Sequence, residues 1–509
     1  MNPDTAELLP PGTVGELTVP VEHPPTPRRA LAGASGRRAR AQAEPRSVDR
    51  VHMTAVRESW RALWSSRLLV WAAGMGTLAA TGFGPVRNAF NPPGVTRGFG
   101  WLGDLLAAPA ARWDASWYLV IAHYGYRPEL GSFTAPRAAF FPLYPLGLAA
   151  ISGLGVPPVL AGVLLSLLAL AMALYGIHRL TTLELTAVGR ARAGRTGSAG
   201  GRSAEVARLA VSVTAFAPMA FYFSAVYSES LYLALSVGLF WCARQGRWAW
   251  VGVLGALAGA TRSTGLVLAL PALMLYFYGP REDRPPELED AGPAGSDQPQ
   301  SASARAYRAA SAAIARLRPR YRMRRDVLWM GLIPAGLVLY MGYLGLSGGD
   351  ATAPFHAQDV WGRHFAGPYL GVWDGVKAAF EGTRQLLSFQ SRHRYFPIAG
   401  GSPYITAGHN LLLLAFLIAA VPALVGVLRL LPLAYGAYVI AALALPLSYP
   451  VAPQPLMSLP RFLVVLFPLG IWLAAWLAAR PRAQRPALVV SALLMALFAT
   501  EFATWHWVA

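Results

Sequence analysis

The chain has 509 residues, of which 55% are hydrophobic and only 14% charged, too apolar a balance for a water-soluble protein of this size. A formal charge of +19 would suggest nucleic acid in a soluble chain, but the arginines gather between apolar runs and in the N-terminal stretch, where they orient a membrane protein instead. A single cysteine, Cys242, excludes an internal disulfide and a cysteine-based zinc site.

Residues 1–60 are rich in Pro, Arg, Ala and Gly and read as a disordered cytoplasmic tail. They lack the positive-then-apolar order of a signal peptide, so the first apolar run is a retained span. Lys377 is the one lysine while Arg, Ala, Gly and Pro abound, the bias expected of a GC-rich bacterial genome.

Residues 61–279 form an N-terminal membrane region. Its first span, 68–83, follows Arg57, Arg61 and Arg67, which places the N-terminus in the cytoplasm. An outer loop at 84–158 comes next. Within it the stretch 138–152 is apolar but only about 15 residues long, against about 20 for a crossing, and carries Pro142 and Pro145 near its start. Read as an interfacial helix, it keeps the loop bearing Arg190, Arg192, Arg195 and Arg202 inside. Spans are then expected at 159–180, 209–225, 231–243, 250–260 and 266–277.

The polar stretch 280–326 reads as a cytoplasmic linker, with an Ala/Arg patch at 305–325 that suits a surface helix. A C-terminal membrane region, 327–509, follows, with spans at 327–346, 411–430, 434–447, 463–479 and 487–502 and an outer loop at 347–409. The expected fold is an all-α polytopic membrane protein of about eleven transmembrane helices in the cell membrane.

Four polar signals then converge on the outer face: Asp114, Glu229, Arg262 and Arg461. Asp114 lies in Arg112-Trp113-Asp114-Ala115-Ser116-Trp117-Tyr118, either a water-facing residue of an interfacial aromatic helix or a carboxylate able to take a proton or bind a metal. Glu229, between Ser228 and Ser230, either complements a helix dipole or joins Asp114 in polarising an acceptor or holding a divalent ion such as magnesium or manganese. Arg262 and Arg461 are interfacial anchors or partners for a phosphate. His356, His364, His393 and His409 lack metal-ligand spacing. No glycine-rich phosphate loop or nucleophile elbow occurs, which disfavours a soluble nucleotide-sugar or ATP site.

Trp113-Asp114 with Tyr118 and Gly125-Tyr126, then Phe140-Phe141-Pro142-Leu143-Tyr144-Pro145, then Phe223-Ser224-Ala225 with Tyr227-Ser228-Glu229, then Thr261-Arg262-Ser263, together resemble the PIG-V-type mannosyltransferases. Gln358, Trp361 and Pro460-Arg461-Phe462 give a fainter echo. The resemblance implies a GT-C-type bundle with interfacial helices in the first outer loop, and a polyprenyl-phosphate-linked donor. It also implies an inverting transfer to a glycan, glycolipid or protein acceptor, with Asp114 and Glu229 catalytic and Trp113, Tyr118, Tyr227, Arg262 and Arg461 binding substrate. The rival reading, a transporter or flippase of a lipid-linked glycan, would call for polar residues at mid-membrane depth and internal symmetry, and the sequence offers neither.

Overall fold

The computed structural model describes residues 28–84, 96, 98–126, 136–193, 199–286, 319–395 and 402–508. Residues 55–509 form one compact unit; residues 1–54 group separately, and their described part is helical. No strand occurs among the described residues.

Helix α1 covers Arg28–Thr81. It takes in residues that composition assigned to a disordered tail, because alanine and arginine are strong helix formers as well as solvated ones. Residues 1–27 of that tail lie outside the described residues. The expected span at 68–83 is the end of α1, where Trp64, Ser65, Ser66 and Arg67 dilute the apolar run.

Short elements fill the first loop: α2 (Gly100–Ala107), α3 (Ala115–Tyr124), a 3-10 turn at Pro136–Ala139 and α4 (Leu143–Ser152). At ten residues α4 is about 15 Å long, half of a hydrocarbon core. Helix α5 (Pro158–Ala193) follows, then α6 (Ala199–Ala215). The expected span at 209–225 is broken: α6 stops ahead of Pro218, and a separate 3-10 turn runs from Ala220 to Ser224. Next come α7 (Glu229–Arg244), α8 (Trp248–Gly259), a 3-10 stretch at Ser263–Leu268 and α9 (Ala269–Tyr278).

Residues 287–318 of the linker lie outside the described residues, as do Arg195 and most of the Ala/Arg patch at 305–325. Beyond them a 3-10 stretch at Arg325–Leu332 meets α10 (Ala335–Gly348) at a 41° bend. The outer loop expected at 347–409 is largely helical, with α11 (Ala353–His356), α12 (Pro368–Leu387) and the first turns of α13 (Pro403–Leu430). The chain ends through α14 (Leu433–Leu447), α15 (Leu459–Val464), α16 (Phe467–Ala478) and α17 (Pro481–Ala503).

Among the described residues three helices, in α5, α13 and α17, are long and apolar enough to cross a membrane, and the bent pair ending in α10 makes a fourth if it is one span. Helices at several other expected crossings, such as α8, α14 and α16, have 10–17 residues, against about 20 for a straight crossing. The described residues are helical with three or four clearly apolar spans, as suits a polytopic membrane protein, and they do not by themselves give a count of eleven.

Two features position the site. Arg67 of α1 is buried and donates to the carbonyls of Ala215 (2.9 Å) and Ala220 (2.6 Å) and to Ser224 Oγ (3.1 Å). It thereby supplies the hydrogen bonds that the broken helix cannot make internally. Cross-links between distant segments also fix the front: Val226 N–H donates to the Ala110 carbonyl (2.9 Å), Leu143 N–H to that of Ala260 (3.0 Å) and the Tyr340 hydroxyl to that of Ala138 (2.9 Å). At the far end of α7, Arg244 pairs with Glu184 at 2.5 Å and the Tyr435 hydroxyl donates to the same carboxylate at 2.7 Å, so that helix is pinned at both ends by charge.

Candidate active site

Asp114 immediately precedes α3. The Tyr227 hydroxyl accepts from its backbone N–H (3.0 Å) and donates to the carbonyl of Arg112 (3.1 Å), spanning the sharp turn between them. Trp113, at the turn, has φ +54°, a left-handed conformation that bulky residues adopt only under constraint. Glu229 opens α7, where the helix dipole favours its charge, and its side chain has no exposed surface. Arg461 sits in α15, three residues after Ser458, another positive-φ residue (φ +69°).

These three side chains meet. Arg461 Nη1 lies 2.7 Å from Asp114 Oδ2, and its Nε donates to Glu229 Oε1, so one guanidinium holds two carboxylates from segments 347 and 232 residues away in sequence. The rings of Tyr227 and Tyr222 flank that guanidinium at 4.8 and 5.5 Å. Arg262, in extended backbone after α8, brings Nη1 to 3.3 Å from Glu229 Oε1, within ion-pair range but not aligned as a hydrogen bond, and rests on Phe462 (5.3 Å) and Tyr232 (5.8 Å).

Tyr118 borders this cluster through its hydroxyl, 3.0 Å from Ser228 Oγ, and packs on Phe140, Tyr144 and Tyr227. Burial, reinforced by the charge of Glu229 and opposed by Arg461 and Arg262, pushes its pKa up to about 12, so it remains a neutral hydroxyl at physiological pH. Asp114 keeps 19% of its side chain exposed, against 8% for Arg461 and none for Glu229, so Asp114 is the more accessible of the two carboxylates. Glu229 Oε2 and the Tyr222 hydroxyl are buried without a hydrogen-bond partner, the uncommitted polar atoms of the cluster.

All seven residues singled out from the sequence are thus neighbours in space, Trp113 through its backbone and its contact with two further tryptophans. Sequence reasoning missed others. Arg363 acts electrostatically on both Arg461 and Asp114; burial and then the charge of Arg461 lower its pKa, and Asp114 opposes them. The one signal for it was Trp361, whose ring meets Phe140 at 6.2 Å. Arg112, Trp505 and Trp507 were also missed, although they surround Trp113.

A divalent ion does not fit this donor set. The guanidinium of Arg461 takes the place between Asp114 and Glu229 that a shared cation would need, and Arg262 and Arg363 add further positive charge. Among the described residues no group of three His, Cys, Asp or Glu side chains could hold a metal.

The fold also holds an apolar cavity of about 490 Å³, lined by residues including Ile121, Tyr126, Pro145, Leu257, Ala260 and Tyr340. Its rim includes Leu146 and Leu339, which are 64% and 73% exposed. None of the charged residues of the cluster lines this cavity.

Comparison with known families gives a match for residues 88–276 to the family described as Mannosyltransferase (PIG-V). The resemblance read from the motifs therefore holds over that stretch, which carries Asp114, Tyr118, Tyr227, Glu229 and Arg262 but not Arg363 or Arg461. None of the curated proteins and none of the solved structures matches the chain. Together with the apolar helices, the match makes the chain similar to membrane glycosyltransferases.

Proposed function

We propose, taking the mannosyltransferase-type match of residues 88–276 as the premise, that the protein transfers mannose from a polyprenyl-phosphate donor to the hydroxyl of a glycan, glycolipid or protein. The reaction would run at the outer face of the cell membrane, with the N-terminus cytoplasmic and about eleven crossings, the shorter helices completing the set. The observation that carries the reading is the joint grip of Arg461 on Asp114 and Glu229, in a fold that also holds an apolar cavity of chemistry suited to an isoprenoid chain.

The step is an in-line displacement. The acceptor oxygen forms a bond to the anomeric carbon as the bond from that carbon to the phosphate oxygen breaks, and the leaving electron pair stays on the phosphate. Asp114, the more exposed carboxylate, takes the proton of the acceptor hydroxyl. Glu229, fully buried, orients Arg461 and so fixes Asp114. Arg262 steadies the charge that develops on the departing phosphate, since Arg461 is committed to the two carboxylates. No step runs through a metal, because the donor set does not suit one.

The test is transfer of radiolabelled mannose from polyprenyl-phosphate-mannose by purified protein in liposomes. Asp114→Asn is expected to lower the rate at least ~100-fold, the usual scale for a general base, while membrane insertion is unchanged. Retained transfer removes the base from this scheme. Movement of the donor across the bilayer without transfer would favour a flippase.

A further inference from the structure

Residues beyond the matched stretch close the back of the site. Helix α17 ends at Ala503, whose carbonyl accepts a hydrogen bond from Arg112 Nε at 3.0 Å. The same guanidinium stacks on the Trp505 ring, 4.6 Å from its centroid. Trp505 and Trp507 then meet Trp113 edge to face, with centroids 5.7 and 5.4 Å apart. This four-residue cluster joins the residues on the N-terminal side of Asp114 to the chain after α17.

Backbone geometry gives the cluster a purpose. Among the described residues only four other than glycine have positive φ, and two of them are Trp113 (+54°) and Trp505 (+67°). A bulky residue keeps such a conformation only where its neighbours over-determine it. Here the two constrained tryptophans are each other's neighbours, and the residue that follows Trp113 is Asp114. Release of the Trp505 ring would let the Trp113 backbone relax, and the direction in which Asp114 leaves the chain would change with it.

We propose that residues 503–508 form a strap that holds Trp113 in its left-handed conformation and thereby aims the Asp114 carboxylate at Arg461, with Trp505 as the positioning residue. The kinetic part of this inference rests on the transferase reading; the geometric part rests on the contacts alone.

The test uses the full chain in nanodiscs and two readouts. The first is the rate of carbodiimide labelling of Asp114, followed by mass spectrometry. The second is the kcat and the donor KM of mannose transfer. Trp505→Ala is expected to speed labelling of Asp114 and to lower kcat by about 10- to 100-fold, the scale of a misaligned reacting group, with the donor KM little changed. Trp505→Phe, which keeps an aromatic ring, is expected to restore both toward the unaltered protein. Unchanged labelling in Trp505→Ala overturns the strap, as does a Phe variant no better than the Ala one. Should Trp505→Ala not fold, Trp507→Ala removes the 5.4 Å contact and yields the same two readouts. If the unaltered protein transfers no mannose, the transferase reading falls, and labelling still decides the strap.

Discussion

Glu229 has no exposed surface, so its charge is tolerable only because Arg461 and Arg262 stand beside it. Removing the nearer cation should therefore do more than abolish activity. Arg461→Ala is expected to destabilise the protein by about 3–5 kcal/mol, the penalty for leaving a buried charge without its partner, read as a lower thermal midpoint in detergent. Adding Glu229→Gln to that variant should recover part of the loss, because the stranded charge is gone; no recovery would mean that packing, not charge, dominates here. At this scale the acidic loop, the helix-end glutamate and both arginines were legible, since a charge at the edge of an apolar run is conspicuous. Arg363, Trp505 and Trp507 were not. The placing of Trp505 and Trp507 depends on ring contacts, and that of Arg363 on charges, between segments far apart in sequence, and no local pattern encodes those.

Helix packing around the cavity depends on close backbone approach. A Cβ added at Gly336 of α10 would lie 1.9 Å from the Ala256 carbonyl oxygen of α8, and one at Gly252 of α8 would lie 2.1 Å from that of Trp329. Gly336→Ala should push the two helices apart at a cost of about 1–3 kcal/mol, typical of overpacking, and should slow transfer by distorting the cavity wall. Gly342→Ala, on the same helix but with no atom within 4 Å of the added carbon, is the control and should be neutral or slightly stabilising through helix propensity. Equal effects would show that the two helices do not need that contact. Element positions were readable from hydropathy for most helices, but the breaks were not. Pro218 stops α6 within an otherwise apolar run, and Arg67, 148 residues earlier than Ala215, is what makes the break stable.

For the whole molecule, the sidedness proposed above follows from arginine placement alone, because the described helices that clearly reach across a bilayer number only three or four. It makes a direct prediction in a Cys242→Ser background. An impermeant maleimide added to intact cells should label Lys377→Cys, in α12, and should reach Arg202→Cys, near the start of α6, only after permeabilisation. Labelling of position 202 from outside would invert the arrangement and move the carboxylates to the cytoplasmic face.

The pairing of Arg461 with partners 347 and 232 residues upstream also bears on biosynthesis. A ribosome delivers Asp114 and Glu229 to the membrane long before their common counter-ion emerges, and a nascent chain halted between Glu229 and α15 holds both acids without it. Closure of the proposed catalytic centre is accordingly among the last events of assembly, and on that reading truncated products are not prematurely active.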